Sequence, residues 1–424
     1  MSHHSVKSAY RNLQERLNRF PQGAPSSETL YKILQILFSE EEAQLVSQLP
    51  IKPFSASDAA KIWKVRYSQA RKTLEKLAAR AILVDADFDG TTKYTLPPPM
   101  AGFFEFSIMR TRGDIDQKLL SELFHQYLNV EEEDFIKDLL LGSETRMGRV
   151  FVQEEVLTND NAVHIMDFER ASEVIRTATH IGIGMCYCRH KMEHLGQACD
   201  APMDICMTFN TAGTSLIKAG FAREVDVSEG LDLLHQAYES NLVQCGENVR
   251  QGVNFICNCC GCCCEFLVAA KKYGALQPVH TSAFITRNDT SACIACGKCV
   301  EACPIDAISL IGNEETGSSS IQIDESVCLG CGVCVRSCPV KSLQLERRPE
   351  KIITPVNSVH RVVLMAIEKG KLQNLIFDNQ AFASHRALAA IMGAILKLPP
   401  VQRVMANQQL KSVYLEKLCS RIKA

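Results

Sequence analysis

Two cysteine-rich segments decide the fold of this chain. Residues 293–304 read Cys-Ile-Ala-Cys-Gly-Lys-Cys-Val-Glu-Ala-Cys-Pro, and residues 328–339 read Cys-Leu-Gly-Cys-Gly-Val-Cys-Val-Arg-Ser-Cys-Pro. Both have the spacing Cys-x2-Cys-x2-Cys-x3-Cys-Pro, which lets three neighbouring thiolates converge on three irons of one cluster. Zinc ribbons use separated pairs of cysteines instead. The spacing therefore predicts iron–sulfur clusters.

These two segments and their surroundings, at about 287–346, resemble the bacterial-type ferredoxin domain with two [4Fe-4S] clusters. The resemblance implies a βαββαβ unit in which the fourth cysteine of each run binds the cluster of the other run. One cluster would be bound by Cys293, Cys296, Cys299 and Cys338, and the other by Cys328, Cys331, Cys334 and Cys303. Gly297 and Gly332 are expected to relieve crowding of the backbone near the clusters.

Composition limits the class of protein and its compartment. The chain has 424 residues, 20 cysteines and a net charge of -2, which predicts two to four domains and argues against a broadly basic nucleic-acid binder. Its longest apolar run, at 387–396, is about half of what a membrane-spanning helix needs. The N-terminus lacks the features of a secretion signal. We therefore expect a cytoplasmic chain without a membrane span, whose cysteines bind metal rather than form disulfides.

The predicted fold class is α+β with several domains. The chain is expected to contain a winged-helix-like domain (1–100), a helical connecting region (101–180), a mainly helical Cys-rich iron–sulfur domain (181–286), the dicluster ferredoxin domain (287–346) and a helical C-terminal segment (347–424).

The N-terminal prediction rests on the order of elements in residues 28–98. Apolar spacing predicts helices over 28–49, from after Ser55 or Ser57, and over 68–80, followed by a hairpin that turns at Asp89-Gly90. Five basic residues would lie on or beside the third helix, where DNA-binding winged helices contact the major groove. They are Arg66, Arg71, Lys72, Lys76 and Arg80. DNA is an alternative partner but is not favoured, because such units also dock proteins.

A second field of cysteines precedes the dicluster pattern. Ten of its thiols are candidate ligands of one or two further clusters: Cys186, Cys188, Cys199, Cys206, Cys257, Cys259, Cys260, Cys262, Cys263 and Cys264. Cys245 is an eleventh thiol in this field. The first four could instead form a zinc site or be buried thiols. The last six would be an oxidation hazard unless ligated. Because adjacent side chains point in different directions, these six cannot all reach one cubane.

Two further resemblances concern this field. Cys259-Cys260-Gly261 is similar to the motif of heterodisulfide-reductase-type subunits that hold a non-cubane cluster, although the next Cys-x2-Cys pair already belongs to the dicluster pattern. The stretch from about 181 to 345 resembles a group of ferredoxin-like iron–sulfur proteins of anaerobes. The resembling features are Cys186-Tyr-Cys-Arg-His, Cys199-Asp-Ala-Pro-Met, Asn258-Cys-Cys-Gly-Cys and the two ferredoxin runs. This resemblance implies redox work in electron transfer. Arg189, His190 and His194 would tune a cluster or carry a proton, unless they lie on a solvent-exposed helix start.

Three or four clusters in one chain are typical of a relay. The sequence therefore predicts a multi-cluster electron-transfer protein, an electron-transfer subunit of an oxidoreductase, that connects a cytoplasmic donor to a redox partner. The partner would be a ferredoxin, a flavoprotein or an oxidoreductase subunit. One alternative is a redox-sensing transcription regulator that uses the winged helix. Another is an oxidoreductase subunit with a catalytic cluster at 257–264. The sequence contains neither a Gly-x-Gly-x-x-Gly fingerprint nor a Walker sequence, so no dinucleotide or ATP site is predicted.

Overall fold

The computed structural model describes residues 2–131, 135–158, 165–273, 279–312, 319–349 and 354–398. Within these ranges helices combine with four separate sheets, and the predicted α+β class is confirmed. No helix in these ranges has both the length and the apolar composition required to cross a bilayer.

The N-terminal part contains five helices and a three-stranded antiparallel sheet of order β1-β3-β2. Its elements are α1 (Ser2–Arg19), α2 (Glu28–Leu37), α3 (Glu40–Val46), β1 (Phe54–Ser55), α4 (Ala56–Trp63), α5 (Tyr67–Ala78), β2 (Val84–Phe88) and β3 (Thr91–Thr95). The last two predicted helices, here α4 and α5, and the hairpin of β2 and β3 follow one another in the predicted order, whereas α1, β1 and the division into α2 and α3 were not predicted.

Capping residues set the boundaries in this part. The helix predicted over 28–49 is instead two helices, because Ser39 accepts a hydrogen bond from the amide of Glu42 and starts a new helix there. Ser55, rather than Ser57, caps α4. The hairpin turns at Asp89 and Gly90, whose φ angles of 51° and 76° suit a tight two-residue turn.

A row of aromatic rings connects this part to the Cys-rich region. Helices α6 (Phe104–Ser107), α7 (Gln117–His125) and α8 (Phe135–Leu141) follow the hairpin, and a π-helical turn (Gln126–Val130) extends α7. Ring centroids lie 5.9 Å apart for Phe38 and Phe103, 5.0 Å for Phe103 and Phe104, 4.8 Å for Phe104 and Phe124, and 5.7 Å for Phe124 and Tyr187. The last ring of the row belongs to Tyr187, which lies between Cys186 and Cys188 in the sequence.

A six-stranded antiparallel sheet forms the centre of the chain, and the prediction of a mainly helical Cys-rich region did not include it. The strand order is β4-β8-β9-β6-β5-β7. The strands are β4 (Gly148–Phe151), β5 (Ile181–Met185), β6 (Asp204–Phe209), β7 (Arg223–Val225), β8 (Val243–Glu247) and β9 (Phe255–Cys259). The helices are α9 (Ala171–Thr177), α10 (Tyr187–His194), α11 (Asn210–Lys218), α12 (Val227–Glu239) and α13 (Glu265–Tyr273).

The strands escaped prediction because several are covered on both faces. All residues of β4 and β8 are buried, and so are four of the five residues of β5. Such strands lack the alternation of polar and apolar residues that marks a half-exposed strand. The sheet also takes β4 from the region that was predicted to be a helical connection.

Residues 284–347 contain six elements in the predicted order βαββαβ. They are β10 (Phe284–Asn288), α14 (Lys298–Ala302), β11 (Ile308–Gly312), β12 (Ser319–Ile323), α15 (Val333–Ser337) and β13 (Leu343–Arg347). Strand β10 pairs with β13, and β11 pairs with β12. Gly297 and Gly332 precede the two helices with φ angles of 79° and 91°, which favour glycine. The link at 313–318 lies outside the described residues.

The C-terminal helices lie against the other parts of the chain. They are α16 (Ser358–Glu368), α17 (Leu372–Ile376) and α18 (Ala383–Leu396), and residues 399–424 lie outside the described part. Arg361 pairs with Glu247 of the central sheet at 2.9 Å. Lys371 and Asn374 donate hydrogen bonds to the carbonyls of Phe20 and Arg19, at the end of α1.

His280 makes the stability of this assembly depend on pH. Its backbone bonds to β4, and burial, together with Arg146 and Arg149, lowers the pKa of its imidazole to about 4. The unfolded chain binds this proton near pH 6.5. The stability contributed by the neutral ring is therefore present above pH 6.5 and is lost as the pH falls, by about 1 kcal/mol at pH 5.5.

We expect the melting temperature to fall more between pH 7 and pH 5.5 in the wild type than in His280→Gln. Both proteins are measured without oxygen in the same buffers, so that the acid sensitivity of bound metal affects them equally. Glu169, which lines the same cavity as His280, is paired with Arg149 at 3.2 Å and is unchanged by the substitution. Equal decreases in the two proteins would contradict the assignment.

Candidate metal centres

The eight cysteines of the two ferredoxin-like runs line two separate cavities. One is lined by Cys293, Cys296, Cys299 and Cys338, here called the surface quartet. The other is lined by Cys303, Cys328, Cys331 and Cys334, here called the buried quartet. Each cavity thus receives three cysteines of one run and the fourth cysteine of the other, which is the grouping that the resemblance implies.

Hydrogen-bond donors surround these thiols. The amide of Ala307 donates to Cys303 Sγ at 3.2 Å, and the amide of Ala295 donates to Cys293 Sγ at 3.4 Å. The hydroxyl of Thr286 lies 3.4 Å from Cys334 Sγ, and that of Ser342 lies 3.4 Å from Cys338 Sγ. Thiolates that bind a cluster are stabilised by such donors. Both quartets therefore fit iron–sulfur clusters in donor chemistry.

The two quartets differ in exposure. Cys296 is exposed, and its neighbour Ile294 has 62% of its surface accessible. Cys328, Cys331 and Cys334 are buried, and burial raises the pKa of Cys334 to about 12. The bare thiol therefore keeps its proton, whereas a bound metal removes the proton from a coordinating thiol. Binding of metal to the buried quartet thus releases protons.

Six thiols of the first cysteine field form a closed ring, here called the thiol ring. Going around the ring, each contacts the next in the order Cys186, Cys188, Cys264, Cys259, Cys257, Cys206 and back to Cys186. Strand alternation puts Cys257 and Cys259 on one face of β9. The ring borders a cavity of about 120 Å³. It has more thiols than the four that one cubane takes.

Within the thiol ring, Cys186 has a lowered pKa, whereas its two neighbours, Cys188 and Cys206, have raised pKa values. Contacts with Cys188 and Cys206 lower the pKa of Cys186, while the contact with Cys186 raises the pKa of Cys188 and Cys206. Arg189 faces Cys186 as well. Burial favours the neutral form of Arg189, but the thiolates of Cys186 and Cys260 outweigh it and raise its pKa. A fixed positive charge therefore lies beside the ring.

The other four candidate thiols form a separate group, here called the loop quartet. It consists of Cys199, Cys260, Cys262 and Cys263. Sγ of Cys199 lies 3.6 Å from Sγ of Cys260 and 3.9 Å from that of Cys263. The adjacent Cys259 and Cys260 therefore serve different groups, as expected from the different directions of neighbouring side chains.

Arg189 and His190 are buried, so the alternative of a solvent-exposed helix start is wrong for both. The guanidinium of Arg189 donates to the carbonyls of Pro202 and Asn258, each at 2.7 Å. It thereby joins the segments that carry Cys199 and Cys257. The ring of His190 lies 2.6 Å from the carbonyl of Ile108 and 4.7 Å from the ring of His194.

Several residues beside these thiols were not predicted from the sequence as ligands or as partners of a metal site. Cys245, on β8, contacts Cys259 of the ring. Lys191 forms an ion pair with Glu265, and both side chains are buried. Thr286 lies on β10, and its contact with the buried quartet depends on how the strands fold. Only Cys245 belongs to a residue type that the sequence had already marked.

Three of the five basic residues on or beside α5 form ion pairs within the chain. Lys76 and Arg80 pair with Glu42 at 3.1 and 2.9 Å, and Arg71 pairs with Glu75. The hairpin itself contacts the Cys-rich part. Asp85 of β2 accepts a hydrogen bond from the hydroxyl of Ser215 at 2.9 Å and pairs with Lys218, both on α11.

Two cavities, each walled by four thiols inside a βαββαβ unit, define an iron–sulfur protein. Residues 292–342 match the family model of the 4Fe-4S dicluster domain. The match covers both ferredoxin-like runs and a small part of the whole chain. A search of curated proteins and a search of solved structures each gave no match.

The hydroxyls beside the two quartets allow a paired prediction. A hydrogen bond to a cluster-bound thiolate stabilises the more negative reduced state, so removing it makes reduction harder. Thr286→Val should lower the potential of the cluster in the buried quartet by tens of millivolts, and Ser342→Ala should do so for the surface quartet. EPR-monitored redox titration measures both. Each variant is the control for the other, and a shift of the wrong cluster would contradict the assignment.

Proposed function

We propose that the protein is a cytoplasmic multi-cluster electron-transfer protein that relays electrons between a protein donor and a redox partner. The arrangement of its thiol groups carries the proposal, because the buried quartet lies between the surface quartet and the thiol ring. [4Fe-4S] clusters, when bound, accept and release single electrons. Two such clusters are proposed in the two quartets, and at least one further iron–sulfur centre in the thiol ring.

Several contacts bring the buried quartet close to the ring. Cys331 is near enough to Cys245 to affect the pKa of that thiol, and Cys245 in turn contacts Cys259 of the ring. Gln153 connects the same two regions. Its backbone N–H donates to the carbonyl of Cys331 at 2.9 Å, and its side-chain amide donates to the carbonyl of Leu242. These residues support a short path from the dicluster domain to the Cys-rich part.

A second contact lies at Gly261. A Cβ at this position would be 2.1 Å from the carbonyl oxygen of Pro304, directly after Cys303 of the buried quartet. Only glycine permits this approach. The turn that carries Cys260, Cys262 and Cys263 therefore packs directly on the dicluster domain.

The surface quartet has the features expected of a docking site for the donor. Ile294 and Val340 expose apolar surface beside Cys296, and Lys298 and Lys341 are exposed nearby. Exposed apolar side chains accompanied by two lysines suit an acidic electron carrier, whose association would be steered by charge. A ferredoxin or a flavoprotein has the required redox function. We propose such a carrier as the donor.

The content of iron and labile sulfide tests this function. The full chain, purified without oxygen, is expected to contain more than the eight irons of two cubanes, and reductive titration should resolve at least three EPR-active centres. Substitution of ring residue Cys257 by Ser should remove the third centre and leave the two ferredoxin-type signals. Eight irons or fewer in the wild type, with no third centre, would contradict the relay.

One observation favours a second candidate function, catalysis at the ring. The cavity beside the ring is also lined by apolar side chains, including Met100, Phe106 and Met109, and by Glu105. Burial raises the pKa of Glu105 to about 7, which suits a proton donor. If the centre has an open coordination position, carbon monoxide or cyanide should change its EPR signal. An unchanged signal would favour the relay alone.

A further inference from the structure

We propose that the loop quartet binds a single tetrahedral metal ion, Zn²⁺ or Fe²⁺, rather than an iron–sulfur cluster. The quartet consists of Cys199, Cys260, Cys262 and Cys263. Four thiolates around one ion are the donor set of structural zinc sites and of mononuclear iron sites. This inference does not depend on the proposed electron relay.

The spacing of the sulfurs distinguishes one ion from a cluster. A tetrahedral ion with metal–sulfur bonds of about 2.3 Å places its sulfurs about 3.8 Å apart. In the loop quartet the Sγ–Sγ distances are 3.6 Å for Cys199 and Cys260, 3.6 Å for Cys262 and Cys263, and 3.9 Å for Cys263 and Cys199. A cubane binds each thiolate through a different iron, so its sulfurs must be farther apart.

The other cysteine groups of the chain can be compared with the loop quartet by the distances between their ligand atoms. In the part of the chain that the structure describes, the loop quartet is the only set of three or more Cys, His, Asp or Glu whose ligand atoms all lie within 4.8 Å of one another. The surface quartet and the buried quartet, which have the cubane spacing in their sequence, do not meet this limit. The thiol ring does not meet it either, because its members contact only their neighbours. The loop quartet is therefore the group whose sulfurs are close enough for one ion.

Local structure holds these thiols together. Cys260, Cys262 and Cys263 lie in the turn between β9 and α13, where the amide of Cys264 bonds to the carbonyl of Cys260. Cys199 comes from the loop after α10. Arg189 connects the two segments through the carbonyls of Pro202 and Asn258. Its positive charge also faces Cys260 and offsets part of the negative charge that four thiolates and a divalent ion leave.

The position of the quartet indicates a structural role. Cys262 is exposed, so an ion can enter from solvent, while Cys263 is buried. A bound ion would tie the loop that carries Cys199 to the turn that packs on Pro304 of the dicluster domain. It would hold one wall of the thiol ring in place without taking part in redox chemistry, if the ion is Zn²⁺.

X-ray absorption and metal analysis of the full chain, purified without oxygen, test the proposal. We expect either one zinc per chain, or one iron beyond those accompanied by sulfide, with four sulfur neighbours at about 2.3 Å. The zinc edge and the Mössbauer signal of a mononuclear ferrous site distinguish the two ions. This measurement needs no variant, so it does not depend on whether a substitution disturbs folding.

Cys262→Ser then locates the ion. The variant should lose one zinc, or one iron without sulfide, and keep the EPR signals of the clusters. Cys245→Ser, a thiol in contact with the ring but not with the quartet, is the matched control and should keep the ion. Loss of about four irons together with sulfide in Cys262→Ser would show a cubane and overturn the proposal. Absence of a single-ion signal in the wild type would overturn it as well.

Discussion

Replacing Cys331 by Ser is expected to stop electrons from reaching the thiol ring while the surface quartet still accepts them. Cys331 belongs to the buried quartet and lies beside Cys245, so it is at the junction between the dicluster domain and the ring. Loss of this cluster lengthens the path between the two remaining centres. We expect the rate of ring reduction by a protein donor to fall at least tenfold.

Freeze-quench EPR after mixing with a reduced ferredoxin or flavodoxin measures this rate. Cys296→Ser is the matched control, because it removes a ligand of the surface quartet and leaves the junction intact. In the Cys296 variant, the protein donor should no longer reduce the surface cluster, which is the first step of the relay. In the Cys331 variant, the surface cluster should still be reduced. Normal reduction of the ring in the Cys331 variant would contradict the order of the relay.

Lys191→Met should cause the largest loss of stability near the ring. Lys191 and Glu265 form a buried ion pair, and Asn129 hydrogen-bonds to both, at 2.8 Å from Lys191 Nζ and 2.7 Å from Glu265 Oε2. Removal of the ammonium leaves a buried carboxylate without its partner. Breaking such a pair costs about 3–5 kcal/mol, a large part of the stability of a domain.

Hydrogen exchange of α10 and α13 measures this loss locally, which suits a chain with several domains. The double variant Lys191→Met with Glu265→Leu is the control, because it removes both charges and should recover much of the protection. Lys191 is on α10 with Cys188, and Glu265 directly follows Cys264, so we also expect metal to be lost from the ring. Unchanged protection in the single variant would contradict the role of the pair.

The dicluster part could be predicted because its ligands are close in sequence. Each run supplies three cysteines within seven residues, and the repeat of the run implies the pairing of the two halves. Capping residues such as Ser55 likewise mark boundaries that local hydrogen bonds determine. Helices α4 and α5 and the hairpin at Asp89-Gly90 were predicted for the same reason, whereas α1 was not predicted.

The division of the first cysteine field could not be predicted in this way. Cys199 lies beside Cys260 only because the central sheet brings β6 and β9 together, and the sequence between them contains no sign of this pairing. The sheet itself was missed because several of its strands are buried on both faces. The sequence did predict that adjacent cysteines would belong to different metal sites. It could not predict which other cysteines each would lie beside, because that depends on tertiary structure.

The central sheet also implies an order of maturation. The thiol ring takes its members from β6, β9 and the starts of α10 and α13, so it is closed only after distant segments have paired. Contacts of this kind form late in folding because the intervening loops must first be ordered. The two ferredoxin-like runs need only a short stretch of chain. We therefore expect the iron and sulfide of the centre proposed for the ring to be inserted after the sheet has formed, into a nearly finished fold rather than a nascent chain.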